Sequence, residues 1–446
     1  MKRVLWAIIG VLVLLVLAGG LFVANRQRQS YKVTIPEQAV SAAKIHVDGL
    51  LADVLWNQLW HKVPAGAGER EQNQLFHTGM KIPANLFLYQ IEGEPAVFFG
   101  TLPVADTAQL QTFIRQHPEW IYEPDSGVGR VRAAHVLALH DATNVAFALY
   151  WKIADEDRVE QQLNDLMQGN RQISLEESRF AALRNRSGHI NVLGAQSLRL
   201  DFESGAIQFA LQTESDNAVS GHIARPVEGQ SGGMGWLQLP AAFWSSFSAD
   251  TWHLGSHVLS RDSIASYIQG GTLLEVVGVT TQVDTVIRYE FDDDFNQVEV
   301  RDTVERVIPE IHGVVQADLT HLTGYLTRVG LLDSISTQVD PDAFPLFPIY
   351  LGDAGNGQLQ VTTVLTPQGQ VPAPESTTNS DDLLLYLDVA AIAEQAILPG
   401  SLGSYLTPFS TIAVRGVPKA NQAWDINGTV TLTDADVNSL VQLIAQ

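Results

Sequence analysis

The stretch AAKIHVDGLLADVLW, Ala42 to Trp56, changes its periodicity part-way along. As far as Asp48 it alternates, with Ile45 and Val47 on one face and Lys44 and His46 on the other, the two-residue period of a half-buried strand. Beyond Asp48, the residues Leu50, Leu51, Val54 and Leu55 fall on one face of a helix. Asp48 or Gly49 marks the junction, where a carboxylate can accept hydrogen bonds from the orphan amides of a first helical turn.

The same pattern recurs. It is found at 234–247 with Pro240 at the junction, at 311–326 with Asp318 and at 383–397 with Asp388. A second type of unit, a strand that runs through a loop into a helix, occupies 96–114, 144–167 and 424–444. Asp106 or Thr107 is placed to cap the first of these helices, and Thr433 with Asp436 resembles a capping box in the last. Residues 197–212 alternate on both sides of Glu203-Ser-Gly205, and 285–300 do so around Asp292-Asp-Asp294, so each reads as a hairpin. The expected fold is α+β: duplicated strand-helix units whose antiparallel sheets are covered by helices, preceded by one transmembrane helix.

The transmembrane expectation rests on Val4 to Ala24, which carries no charge and no proline. At ~1.5 Å per residue such a run is long enough for a hydrocarbon core of roughly 30 Å. Lys2 and Arg3 precede it; Arg26, Arg28 and Lys32 follow. A bacterial lipoprotein signal at Leu17-Ala-Gly-Gly20 is excluded, because the acceptor cysteine is missing and the chain contains none. Cleavage after Gly20 is the alternative to an uncleaved signal-anchor. The expected organisation is a cytoplasmic tip (1–3), the signal-anchor (4–24), a stalk (25–35), a first half (36–220) and a second half (221–446). The boundary falls in the Ser/Gly/Asn/Pro-rich stretch 213–235, and 366–380 reads as a long exposed loop.

Beyond Lys32 the chain has 22 basic against 49 acidic residues, a net charge of −27. Nucleic acids and anionic headgroups are poor ligands for such a surface. The absence of cysteine removes disulfides, thiolate metal sites and cysteine nucleophiles together.

The IPEQA lead-in (35–39), the AKIHVDGLL segment, the YEFDDDFN hairpin and the closing GTVTLTDADVNSLVQLI together resemble uncharacterised single-pass, membrane-anchored bacterial envelope proteins. The resemblance implies a place in the inner membrane, with the ectodomain in the periplasm or outside the cell. It implies no chemical site.

Motifs that carry chemistry are sparse. Gly229-Gln-Ser-Gly-Gly233 matches G-x-S-x-G, but a loop entering a strand is not the strand-turn-helix that a nucleophile elbow needs. His253 and His257 lie four apart, on one face of a strand or a helix, as a zinc or copper pair would. His135 and His140 are five apart and would face opposite sides of a strand. Asp292-Asp-Asp294 offers oxygen ligands without the spacing of a calcium loop. Trp236, Phe243, Trp244, Phe247 and Trp252 form either core or a partner surface. The expectation is a membrane-anchored extracytoplasmic binding or scaffold protein that engages a protein, peptide or lipid, with no catalytic, cofactor or metal residue assigned. The alternative is an envelope hydrolase using Ser231 or a His253/His257 metal site.

Overall fold

A computed structural model describes residues 20–60, 78–93, 96–124, 128–150, 155–213, 234–240, 250–291, 297–333, 337–355, 357–364, 383–395, 406–419 and 423–444. Of these, 51% are in strands and 25% are helical. The chain divides into two compact units, 1–220 together with 434–446, and 221–433.

The first unit opens with helix α1 (20–30). There follow β1 (Thr34–Pro36), β2 (Ala39–Ile45), α2 (Val47–Trp60), β3 (Leu86–Ile91), β4 (Val97–Pro103) and α3 (Thr107–Arg115). Strands β5 (Ile121–Pro124), β6 (Gly129–Ala133), β7 (Val136–His140) and β8 (Asn144–Tyr150) lead to α4 (Glu156–Gln168). The path then runs through β9 (Gln172–Ser174), β10 (Ile190–Leu193), β11 (Gln196–Glu203) and β12 (Ala206–Thr213). Apart from the β1–β9 pair, the strands form one antiparallel ladder in the order β12-β11-β10-β2-β3-β4-β8-β7-β6-β5.

The β6–β8 region buries both of its faces. On β7, Leu137 and Leu139 point into a core that includes Val159, Leu163 and Leu166 of α4. Ala138 points the other way, into a core with Leu110 and Ile114 of α3, and Val136 and His140 share that face. Strands covered on both faces lose the polar half of their alternation, which explains the nearly unbroken apolar runs VLALH and NVAFALY. Asp106 caps α3 by accepting from the Ala108 and Gln109 amides, and Asp155 caps α4 through the Arg158 amide.

The second unit contains β13 (Gly235–Leu239), β14 (Thr251–Leu254), β15 (His257–Ser260), α5 (Arg261–Tyr267), β16 (Ile268–Phe291), β17 (Gln297–Ala317) and α6 (Leu319–Arg328). It continues through β18 (Tyr350–Gly355), β19 (Gln358–Thr362), β20 (Leu383–Asp388), α7 (Val389–Glu394), β21 (Phe409–Pro418) and β22 (Trp424–Leu432). Its ladder runs β18-β19-β17-β16-β13-β20-β21-β22, again antiparallel, with β14–β15 a separate hairpin. From Val277 outward, β16 and β17 have ladder partners only in each other among the described residues. At ~3.3 Å per residue this makes a ribbon about 50 Å long. Val283, Ile287 and Tyr289 are exposed on it, and Arg288 pairs with Asp302 across the strands at 2.6 Å.

Two expectations are corrected. The α+β fold with sheets covered by helices gives way to a mostly β chain, because strands run longer than the alternating signal suggested, β16 and β17 for 24 and 21 residues, while three helices among the described residues are very short. α5, α7 and the closing helix α8 (Ser439–Ile444) have six or seven residues each. The transmembrane, signal-anchor and single-pass expectation is corrected as well: among the described residues no helix is long and apolar enough to cross a membrane. Residues 4–19 of that apolar run lie outside the described residues. Its last five residues begin α1, which is tied into the fold by polar contacts, Arg26 donating to the Asp48 carboxylate at 2.9 Å and to the Ile82 carbonyl at 2.8 Å. The stretch read as a stalk supplies the rest of α1 and the start of β1, with Ile35 fully buried.

The segment 434–446 belongs to the first unit. The Gly205 amide, at the β11–β12 turn, donates to the Val437 carbonyl at 2.8 Å, and Asn438 donates to the Phe202 carbonyl at 3.1 Å. Gly205 has φ +63°, and a Cβ there would lie 2.5 Å from the Ala435 Cα. Gly169, the α4 C-cap at φ +68°, faces open space. Gly205→Ala is therefore expected to cost about 2–4 kcal/mol in urea unfolding, against about 1 kcal/mol for Gly169→Ala. Equal losses would mean that the closing segment does not press on this turn.

Candidate functional site

Strand β2 lies between β3 and β10, hydrogen-bonded on both edges. Lys44, which alternation places on a solvent face, is only 3% exposed. Its ammonium donates to the Arg186 carbonyl at 2.5 Å and lies 5.9 Å from the centre of the Tyr31 ring. Burial, with Arg186 adding like-charge repulsion, lowers the amine to about 8.

At the junction the His46 amide donates to the His189 carbonyl at 2.7 Å, which ties the start of α2 to the loop before β10. The His46 ring accepts from the Gln27 side-chain amide at 2.9 Å, and its pKa is lowered, chiefly by burial and then by Lys44. Gly49 gives that ring its room, since a Cβ would lie 2.4 Å from Nδ1. Asp48 is the ion-pair partner of Arg26, whereas Asp318 and Asp388 do cap α6 and α7, accepting from the His321 and Ala391 amides. The capping residue of α8 is Asn438, through the Leu440 amide, several residues beyond Thr433.

Further along α2, Asp53 meets His189 Nε2 at 3.0 Å. The Phe202 amide donates to His189 Nδ1 at 3.0 Å, so the ring proton of the neutral imidazole sits on Nε2 and points at Asp53. Asp201 accepts from the His189 amide at 3.2 Å and from Arg199 Nε at 2.6 Å. These groups line a polar cleft of about 330 Å³, together with Trp56, Asn57 and Glu203.

A second opening lies between α3 and the face of the sheet formed by β6, β7 and β8. It has a volume of about 240 Å³, is partly open to solvent, and exposes no polar atom. Leu110, Phe113, Trp120, Ala138, Val145 and Phe147 are among its walls. His140 lines it too, is 5% exposed, stacks on Tyr122 with centroids 5.8 Å apart, and has no hydrogen-bond partner for either ring nitrogen among the described residues. Burial pushes its pKa below the ordinary histidine range, partly opposed by Asp141.

The residues singled out from sequence alone are not gathered into a site. Ser231, Asp292 to Asp294, Phe243, Trp244 and Phe247 lie outside the described residues. The β14–β15 turn, with Gly255 at φ +57°, reverses the chain between His253 and His257. His253 pairs with Val258 and His257 with Leu254, so the two imidazoles occupy opposite faces of the hairpin. His257 is also fully engaged, Nδ1 with the Val329 carbonyl at 3.0 Å and Nε2 with Asp340 at 2.6 Å. Its pKa is raised, first by Asp340. His135 sits in the β6–β7 turn, and Trp252 packs on the core of the second unit. No cluster of three or more histidine, aspartate or glutamate side chains suited to a metal occurs among the described residues. Sequence reasoning missed His189, Arg199 and Asp201, although Arg199 and Asp201, at i and i+2 on an alternating strand, were a visible signal of one polar face.

No family model matches the chain, and no curated protein matches it. Among solved structures it is similar to crystal form IV of TP0453, with 12% identity and a TM-score of 0.27 over 52% of this chain and 96% of that one. Crystal form I of TP0453 gives 11% identity and a TM-score of 0.26 over 42% and 82%. Likeness at this level carries no argument about activity.

The burial of His140 has a pH signature. Its folded pKa lies below the unfolded value of ~6.5, so the stability of the neutral ring is fully present above that value and is lost as pH falls through it toward the folded pKa. Urea titrations between pH 7.5 and 5 should show a steeper loss for the native chain than for His140→Leu. Parallel curves would show that this ring does not stay neutral in the fold.

Proposed function

We propose that this chain is a non-catalytic binding protein, working outside the cytoplasm in the bacterial envelope, that holds an apolar group in the cavity between α3 and the sheet. The observation that carries the reading is the cavity surface, about 240 Å³ of space with no polar atom exposed on it. Dense packing is the rule in protein interiors, and an apolar void deprives its lining of contact partners. An aliphatic occupant restores those contacts without desolvating any polar group. At the ~30 Å³ share of a water-sized group, the space takes about eight heavy atoms, the end of an acyl chain. Lipid is thus the favoured partner class among protein, peptide and lipid. The extracytoplasmic placement rests on the resemblance of the IPEQA, AKIHVDGLL, YEFDDDFN and closing segments to bacterial envelope proteins.

Trp120 in the wall is a built-in reporter. Titration with 1-decanol should change its fluorescence saturably, and Ala138→Phe, which fills the cavity, should weaken that binding at least ~10-fold with cooperative unfolding retained. Val136→Phe fills the same space from a less buried position and serves if Ala138→Phe unfolds. Binding that is absent, or indifferent to both substitutions, overturns the reading. An alkaline phosphatase fused at the carboxyl terminus should be active in intact cells; an inactive, folded fusion would overturn the placement.

A further inference from the structure

We propose that the polar cleft of the first unit is a separate binding site for an organic cation, a guanidinium or primary ammonium on a short aliphatic stem. This goes beyond the apolar cavity and does not depend on it. The first ground is charge. Three carboxylates, Asp53, Asp201 and Glu203, line the cleft, and its one arginine, Arg199, is bound to Asp201 through Nε at 2.6 Å. His189 is already engaged on both ring nitrogens, Nδ1 by the Phe202 amide at 3.0 Å and Nε2 by Asp53 at 3.0 Å. Asp53 and Glu203 are left as a surplus of two negative charges.

The second ground is independent of charge. Asn57 lines the cleft, is 4% exposed, and its Oδ1 has no hydrogen-bond partner among the described residues. Its Nδ2 lies 3.4 Å from the Asp436 carbonyl, which fixes the orientation of the amide, since a flipped side chain would set two oxygens against each other. A buried acceptor without a donor is costly, and an N–H group entering the cleft supplies one. Trp56, 66% exposed, also lines the cleft, and an indole near a bound cation adds cation–π attraction. The volume of about 330 Å³ accepts about ten heavy atoms at ~30 Å³ each, the size of an arginine side chain with its backbone. A net charge of −22 draws cations toward the molecule and concentrates them at such a cleft.

The same chemistry is carried by a free polyamine and by a basic side chain on a peptide, and calorimetry on the full chain separates them. Agmatine probes the free cation, acetyl-arginine amide the peptide side chain, and acetyl-citrulline amide is the neutral isostere of the latter. At least one of the two cations should bind saturably, and whichever binds more tightly identifies the source. Citrulline should bind at least ~10-fold more weakly than arginine wherever arginine binds. Asp53→Asn with Glu203→Gln should cost the bound cation a similar factor, and so should Trp56→Ala, an exposed position at which the fold is retained. Asp157→Asn with Glu119→Gln, remote acidic positions on the same unit, should leave it unchanged. The proposal is overturned if neither cation binds at ~10 mM, if arginine binds and citrulline binds equally well, if the cleft variants bind as the native chain does, or if the remote pair weakens binding as much as the cleft pair, which would mark diffuse attraction to an acidic surface.

Discussion

The first unit depends on strand β2 being hydrogen-bonded on both edges. With β3 on one side and β10 on the other, Ala39, Ala42, Ala43 and Lys44 are all buried, and side chains on both faces of the strand meet protein. A lysine in that position must find an acceptor and gives up basicity, which is the state of Lys44. The next residue but one, His46, carries the strand's direction into α2 and binds the loop before β10 through its amide. Asp53, Trp56 and Asn57 on α2 are thereby brought beside His189, Arg199 and Asp201, residues about 140 positions away in the chain. The polar cleft is a product of that register.

The apolar cavity has a related origin. A sheet that buries both faces needs a helix on each, and α4 fits its side closely through Val159, Leu163 and Leu166. The α3 side is filled less completely, by Leu110 and Ile114 with Ala138 opposite, and the space left over is the cavity. The two openings thus differ in kind. One is apolar space left between helix and sheet; the other collects polar groups from a helix, a strand and a loop.

Much of the local structure was legible. Asp318 and Asp388 are helix caps because a carboxylate at a strand-to-helix junction meets orphan amides wherever the fold places it. The turn at Glu203-Ser-Gly205 was legible from its glycine, whose left-handed backbone is required there. Asp48 was not, because Arg26, 22 residues upstream, takes its carboxylate and no local pattern records that. The His253/His257 pair misled for a similar reason: four-residue spacing puts two side chains on one face only if the chain between them runs straight, and Gly255 turns it back.

Periodicity, capping residues and turn glycines act within a few residues, so the sequence by itself determined the strand-to-helix junctions capped by Asp106, Asp318 and Asp388, the turn at Gly205, and that the chain is acidic and free of cysteine. Strand pairing acts across the whole chain. Whether β2 is an edge or an interior strand, how far β16 and β17 run together, which helix covers which sheet face, and hence that Lys44 and His140 are buried and that Asp53 meets His189, were decided only by the tertiary structure. The physical reason is that burial belongs to a pair of surfaces, and the second surface lies tens to hundreds of residues from the first.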